Sequence, residues 1–295
     1  MIATALERLA LFFSAEPSRQ GLLARLALCR PGADDAALRE RLAVRLEEEL
    51  RPDGSACGGA LPTIWHAHEL LDLATPAAAE PARRSVQWVL HLQGRPGAYG
   101  EGCDRERHSR HLCEHYLAGF FSPGPLTERI TPVTFPNGKV YRAEPAARFA
   151  ISCLALRAAL RAGHGDRPSV RRHVDTLAAL TEQWSGWGGY FPPDLIVVVM
   201  HALAAAGAER REVVSRLAAL AAAHQQEDGG WPNTDFFHAL EGLRAAGTDA
   251  ARAAVRRALP ALLERQRPDG TFGPTAQQER ALIGLRALVW VGEEL

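Results

Sequence analysis

Lysine is almost absent from this chain. Lys139 is the single lysine in 295 residues, and arginine supplies the rest of the 34 positive charges. Asp and Glu also number 34, so the formal net charge is zero. A balanced chain presents no broad basic field, which argues against a nucleic-acid surface built on phosphate neutralisation. Cysteine is sparse: Cys29, Cys57, Cys103, Cys113 and Cys153 are odd in number and form no Cys-x-x-Cys. That pattern does not make a disulfide framework and, with no secretory leader apparent, predicts a reduced, cytoplasmic compartment. No uncharged run reaches ~18 residues, so no transmembrane span is expected, although contact with a membrane surface stays open. The opening Met1 to Phe13 is apolar but carries Glu7 and Arg8. It reads as an amphipathic helix rather than a signal peptide.

What the chain has in quantity is a repeated unit. The stretch Gly186-Trp187-Gly188-Gly189-Tyr190-Phe191-Pro192-Pro193-Asp194 is a glycine-aromatic turn running into a Pro-Asp helix start. Similar punctuation stands at Arg51-Pro52-Asp53-Gly54, Arg95 to Gly100, Asp228-Gly229-Gly230-Trp231 and Pro268 to Gly273, with a degenerate copy at Pro136 to Tyr141. With Gly54, Gly97, Gly138, Gly186, Gly229 and Gly270 as markers, the spacings are 43, 41, 48, 43 and 41. A period near 43 predicts an array of helix pairs.

The helices before and after each turn differ. Those before it are amphipathic and arginine-rich, as in Arg211 to His224. Those after it are far more apolar, as in Leu195 to Ala206 and Ala281 to Val291. A helix apolar on every side must be buried on every side. Six such helices inside six amphipathic ones give the expected fold, all-α, a closed α6/α6 toroid over residues 36–295. Residues 1–35 are expected as N-terminal helices packing on it. Gln93, Gln183, Gln226 and Gln266 precede the turns, where their amides suit the free groups at helix ends. One unit departs from the pattern. Residues 129–142 read as a β-hairpin with an Asn137-Gly138 turn, either a lid over the toroid opening or a loop at its rim.

Gln226 to Trp231, Gln266 to Phe272 and Gln93 to Tyr99 resemble the QW repeats of the squalene–hopene cyclase and protein prenyltransferase β-subunit superfamily. The resemblance covers roughly residues 36–292 and implies two catalytic patterns. Cyclases of this kind protonate an alkene with an Asp-x-Asp-Asp segment opening an inner helix. Here Asp194 matches the first acid, while Ile196 and Val197 stand where the other two would be. The prenyltransferases hold zinc with Asp-x-Cys and a later His. Asp194 and His238 match these, and Ile196 takes the place of the cysteine.

The polar residues of the apolar helices supply the candidates. His66, Asp194, His201, Asp235 and His238 are the expected acids and bases. Trp65, His68, Tyr190, Trp231, Phe236, Phe237 and Glu241 are the expected lining of a central apolar cavity. The segments His66-Ala-His-Glu69 and His238-Ala-Leu-Glu241 match, which predicts that His66 and His238 face the same cavity. Aromatic faces stabilise cations. The leading reading is therefore a terpene-cyclase-like enzyme acting on an isoprenoid or other polyene-like small molecule, by acid–base cyclisation or isomerisation and without a cofactor. A metal-dependent transferase or lyase is the second. Zinc or iron would be held by His and Asp, or by the stripe of His108, His111 and His115, which needs ligands from another helix because its ends lie ~10 Å apart. A non-catalytic binding module on the same fold is the third. The oligomeric state is not legible.

Overall fold

The computed structural model describes residues 1–57, 59–92, 121, 128–182, 184, 186–188 and 192–292. Among them are twelve α-helices and one small hairpin. The helices are α1 (Ile2–Phe13), α2 (Arg19–Ala27), α3 (Asp35–Glu48), α4 (Ala60–Leu73), α5 (Pro76–His91) and α6 (Glu144–Arg161). They continue with α7 (Pro168–Thr181), α8 (Pro193–Ala204), α9 (Arg211–Ala223), α10 (Phe236–Ala246), α11 (Asp249–Arg265) and α12 (Gln277–Gly292).

Even-numbered helices form the inner ring and odd-numbered ones the outer. Consecutive inner helices touch from α4 through α6, α8, α10 and α12, and α12 then packs on α2. Arg19 of α2 reaches Glu69 and Asp72 of α4, which completes the circle. This is the expected closed α6/α6 toroid. The expectation that residues 1–35 merely pack on a finished ring is not what the packing shows. α1 and α2 occupy the places between α11/α12 and α3/α4. Their linking segment Ser14 to Ser18 carries no glycine-aromatic turn, so the period does not reveal them.

Inner helices are buried along most of their length. In α8 every residue from Pro193 to Leu203 except His201 is buried, and in α6 the run Ala147 to Leu156 is buried throughout. Starts are fixed chemically. The side chains of Ser18, Thr75, Asp235 and Thr248 each accept a bond from a first-turn backbone N–H, and proline opens α5, α7 and α8.

Three of the turn glycines share a reason, while a Cβ on Gly186 would meet nothing within 4 Å. Gly54, Gly229 and Gly270 have φ of +88°, +83° and +87°. A Cβ on each would lie 2.5 to 2.9 Å from a carbonyl oxygen of the next outer helix, namely Arg84, Arg257 and Arg8 respectively. Each turn thus rests against the backbone of its neighbour, and Gly270 against Arg8 shows α1 to be the next outer helix after α11. Gln266 adds an amide bond to the Ala5 carbonyl at 3.1 Å. In the preceding unit Gln225, rather than Gln226, performs this task, bonding the Ala254 carbonyl at 2.9 Å. Gln93 and Gln183 lie outside the described residues.

Gly138 is not a repeat marker. It has φ +85° and belongs to the hairpin of β1 (Val133–Thr134) and β2 (Val140–Tyr141), antiparallel with Val133 opposite Tyr141. Gly97 lies outside the described residues, and the hairpin stands just before α6.

Replacing Gly229 with alanine tests the repeat contact. The new methyl meets the Arg257 carbonyl, whereas Ala at Gly207 (φ +77°) meets nothing within 4 Å. Both changes carry left-handed strain of about 1–2 kcal/mol. Gly229→Ala is expected to lose a further 1 kcal/mol or so from overpacking. Urea unfolding that gives equal losses for the two would remove this account of the repeat.

Candidate active site

The hairpin lies across the rim of the ring where α8, α10 and α12 begin. Lys139 at its tip pairs with Asp194 at the start of α8. Asn137 donates its amide to Glu241 at 3.0 Å and to His238 Nδ1 at 3.1 Å, both on α10. Arg280 of α12 donates to the Asn137 carbonyl and to Asp235, each at 3.0 Å. The hairpin is therefore held by three successive inner helices.

These contacts assign roles to the residues that matched the family patterns. Asp194 is buried and does not cap its own helix. Its second oxygen accepts the Asp235 backbone N–H at 3.1 Å, tying α8 to the start of α10. Asp235 caps α10 and holds Arg280. His238 is buried, with both ring nitrogens engaged: Nδ1 accepts from Asn137, and Nε2 faces the Asp194 carbonyl at 3.3 Å, which can only accept. That arrangement suits a ring proton on Nε2. Tyr141 adds its hydroxyl at 3.4 Å, and burial pushes the phenol further up, so it stays neutral.

Two cavities lie on the ring axis beneath the hairpin and share Trp65, Arg157, His201, Glu241 and Glu279 as walls. The upper one, about 20 Å³, lies against Phe135, Pro136, Leu154, Val198 and Ala202. It has room for roughly one water-sized group. The lower one, about 250 Å³, opens towards the far rim between Arg19, His68, Asp72, Arg161, Ala245 and Arg286. The lining is ionic rather than apolar as expected. Arg19 pairs with Asp72 at 2.5 Å and Glu279 at 2.6 Å, and Arg161 pairs with Asp72 at 2.6 Å. Arg157 lies 3.8 Å from Glu241.

This network sets the protonation of the axis. Burial alone would raise Asp72, but Arg161 and Arg19 outweigh it and hold the carboxyl below its ordinary range. Glu69 goes the other way, since burial raises it more than Arg19 lowers it. His68 is buried with Nε2–H donating to the Leu154 carbonyl at 3.0 Å and Nδ1 accepting from Arg161 at 2.9 Å. His201 has Arg157 Nη1 within 2.9 Å of both ring nitrogens and Glu241 4.0 Å from Nδ1. Burial, then the nearby guanidiniums, keeps both histidines well below the ordinary histidine value.

Of the expected site residues, the structure brings Trp65, His68, His201, His238 and Glu241 to the axis. His66 does not join them. It bonds the Pro62 carbonyl at 3.0 Å and Glu49 at the end of α3 at 2.9 Å. Three aromatics also lie elsewhere. Trp231 donates to the Ala221 carbonyl at 2.9 Å and packs its turn. Phe236 lies under Arg265 of the outer α11, and Phe237 packs on Phe272 beneath Arg280. Tyr190, His108, His111 and His115 lie outside the described residues. Among the described residues no three His, Cys, Asp or Glu stand together as a metal site, and no helix is long and apolar enough to cross a membrane. Sequence reasoning missed Arg19, Lys139, Asn137, Arg157, Arg161, Glu279 and Arg286. The usable signal was charge interrupting an apolar inner helix, as at Arg157 and Arg161 in α6.

No protein-family model and no curated protein matches the chain. Solved structures do. The type II terpene cyclase MstE from Scytonema, in its apo form, matches with TM-score 0.59 and 16% identity, covering 100% of this chain and 99% of that one. An arginine-to-alanine variant in complex with geranylgeranyl dihydroxybenzoate, its substrate, matches with TM-score 0.59 and 15% identity over 100% and 98%. An aspartate-to-alanine variant in complex with the product merosterolic acid A matches with TM-score 0.59 and 16% identity over the same shares.

Two outcomes follow. Lys139→Met leaves the buried Asp194 carboxylate without its cation, at up to about 3 kcal/mol. It is expected to speed proteolytic cleavage within residues 133–141 while Lys139→Arg does not; equal cleavage rates would show the ion pair to be idle. The second concerns pH. Below the ordinary histidine value of 6.5 the unfolded chain protonates His68 and His201 while the folded chain does not. The unfolded state then binds more protons, so stability is lost as pH is lowered through and below that value, by up to about 1.4 kcal/mol per unit for each histidine. Urea unfolding between pH 7 and about 5 checks this, and His68→Gln is expected to flatten the slope.

Proposed function

We propose that the protein is a terpene-cyclase-like enzyme that holds a small hydrophobic molecule of isoprenoid type on the ring axis and rearranges it by proton transfer. The fold of the type II terpene cyclases supports the class. The observation that carries the chemistry is His201, a neutral imidazole between Arg157 and Glu241 where the two cavities meet. With substrate bound, Arg157 turns from the acceptor nitrogen of His201 to the negative charge developing on the substrate, and the freed neutral imidazole takes a proton from carbon while Glu241 stabilises the imidazolium that forms. Return of the proton to a neighbouring carbon completes an isomerisation with no co-reactant.

Isomerisation suits these walls better than cyclisation. Starting a polyene cyclisation needs a neutral carboxylic acid aimed at an alkene. Asp194 is paired with Lys139, and Asp72 and Glu279 are paired with arginine. A volume of about 250 Å³ also favours a molecule shorter than a geranylgeranyl chain. A non-catalytic binding module is the second reading, favoured by the engagement of Asp194 and His238 in holding the hairpin.

The test is incubation of the pure protein with short isoprenoid acids, aldehydes and alcohols in D2O, followed by mass spectrometry. Deuterium incorporation or an isomeric product is expected, with His201→Gln folding normally and losing ~10²-fold or more of the rate. Unchanged activity in His201→Gln would remove it from the chemistry. Binding without exchange would favour the binding module.

A further inference from the structure

The rim where the inner helices end carries a second feature, separate from the proton-transfer residues. The carboxylates of the axis are engaged by Arg19, Arg157 and Arg161. Arg244 in the last turn of α10 and Arg286 in α12 remain without an ion-pair or hydrogen-bond partner among the described residues. Both are partly buried and close enough for the charge of Arg286 to be felt at Arg244; Asp72 and Glu241 act on both from beyond ion-pair distance, and Glu279 on Arg286, yet burial still leaves both below the ordinary arginine value. Two neighbouring guanidiniums left unpaired in a partly dehydrated place repel each other, and an anion between them removes that cost.

The surroundings say what kind of anion. Arg244 and Arg286 line an open hollow of about 490 Å³ with Leu23, Leu26, Ala27, Val289 and Trp290 as the other walls. Leu26 is 40% exposed. Trp290 is held in place by Arg252, whose guanidinium lies 5.1 Å over the indole. A free inorganic anion has no use for this apolar shelf, and a neutral apolar molecule has none for the arginines. Arg286 also lines the lower axial cavity, so the hollow and the axis meet at its side chain.

We propose that this hollow binds a single-chain amphiphilic acid, its carboxylate or phosphate head between Arg244 and Arg286 and its apolar chain on Leu23, Leu26 and Trp290. The site goes beyond the isomerase reading and does not depend on it, because none of its residues is part of the Arg157, His201 and Glu241 group.

Dodecanoate below its micelle concentration is the probe, with dodecanol, inorganic phosphate and anionic phospholipid vesicles as comparisons. Calorimetry is expected to show one dodecanoate per chain, with dodecanol and phosphate at least about tenfold weaker. Arg286→Gln and Arg244→Gln should each weaken dodecanoate about tenfold or more and leave dodecanol unchanged, while Arg286→Lys keeps part of the affinity. His201→Gln should bind dodecanoate like the parent, which separates this site from the proposed chemistry. Equal affinity for dodecanoate and dodecanol overturns the arginine role. Equal affinity for phosphate overturns the apolar shelf, and binding to vesicles alone overturns the single-molecule site. The wild-type comparisons decide the matter even if a variant fails to fold.

Discussion

Six helices around one axis leave a space between them, and in this protein arginine–carboxylate pairs line its lower part. Taking such charges out of water is costly, and the cost is offset only where geometry is close and remaining donors find acceptors. Arg19 shows the arrangement at its most demanding. It is 5% exposed, and it faces Glu69 and Asp72 on one side and Glu279 on the other. Those partners belong to the two inner helices flanking α2. The pairing that lines the axis therefore also joins the seam of the ring, and removing one member leaves charges on both neighbours unmatched.

The electrostatics grade along the axis. Near the hairpin the walls are Phe135, Leu154 and Val198; lower down they are Arg157, Arg161 and Asp72. His201 and Glu241 sit at the boundary. A proton-transfer group gains from such a place, because it can face an apolar substrate while its charged form is matched from behind. His68 has the same protonation but is tied at both nitrogens to groups of α6, the Leu154 carbonyl and Arg161, whereas His201 meets the single guanidinium of Arg157.

Much of the architecture was legible because a physical contact repeats. Gly54, Gly229 and Gly270 each touch the next outer helix, so glycine returns at a constant interval, and the apolar runs after them mark the inner ring. The reading went astray where a different cause produced the same letters. Asn137-Gly138 needs a positive-φ glycine for a hairpin, not for a repeat. Ser14 to Ser18 makes a ring connection without any glycine. In the site, His201, His68, Trp65 and Glu241 were found because polar or aromatic residues on greasy helices stand out. His66 was misplaced because matching two four-residue segments does not fix the rotation of the two helices about their axes. The arginines were passed over because arginine also crowds the outer helices, away from the axis. Asp194 and His238 matched family patterns, yet their partners Lys139 and Asn137 come from a hairpin that no pattern of inner helices contains.

The seam between α2 and α12 also orders events during synthesis. Arg19 and Glu279 are separated by 260 residues, so at ribosomal rates of roughly 5–20 residues per second the first inner helix waits ten seconds or more for its last neighbour. Through that interval the partial ring carries an open apolar edge and the Arg19 guanidinium lacks one of its anions. Contacts of such sequence separation form late in folding. The nascent protein is thus a curved helical array with two sticky ends, and it becomes a closed body only when the final helix arrives to join them.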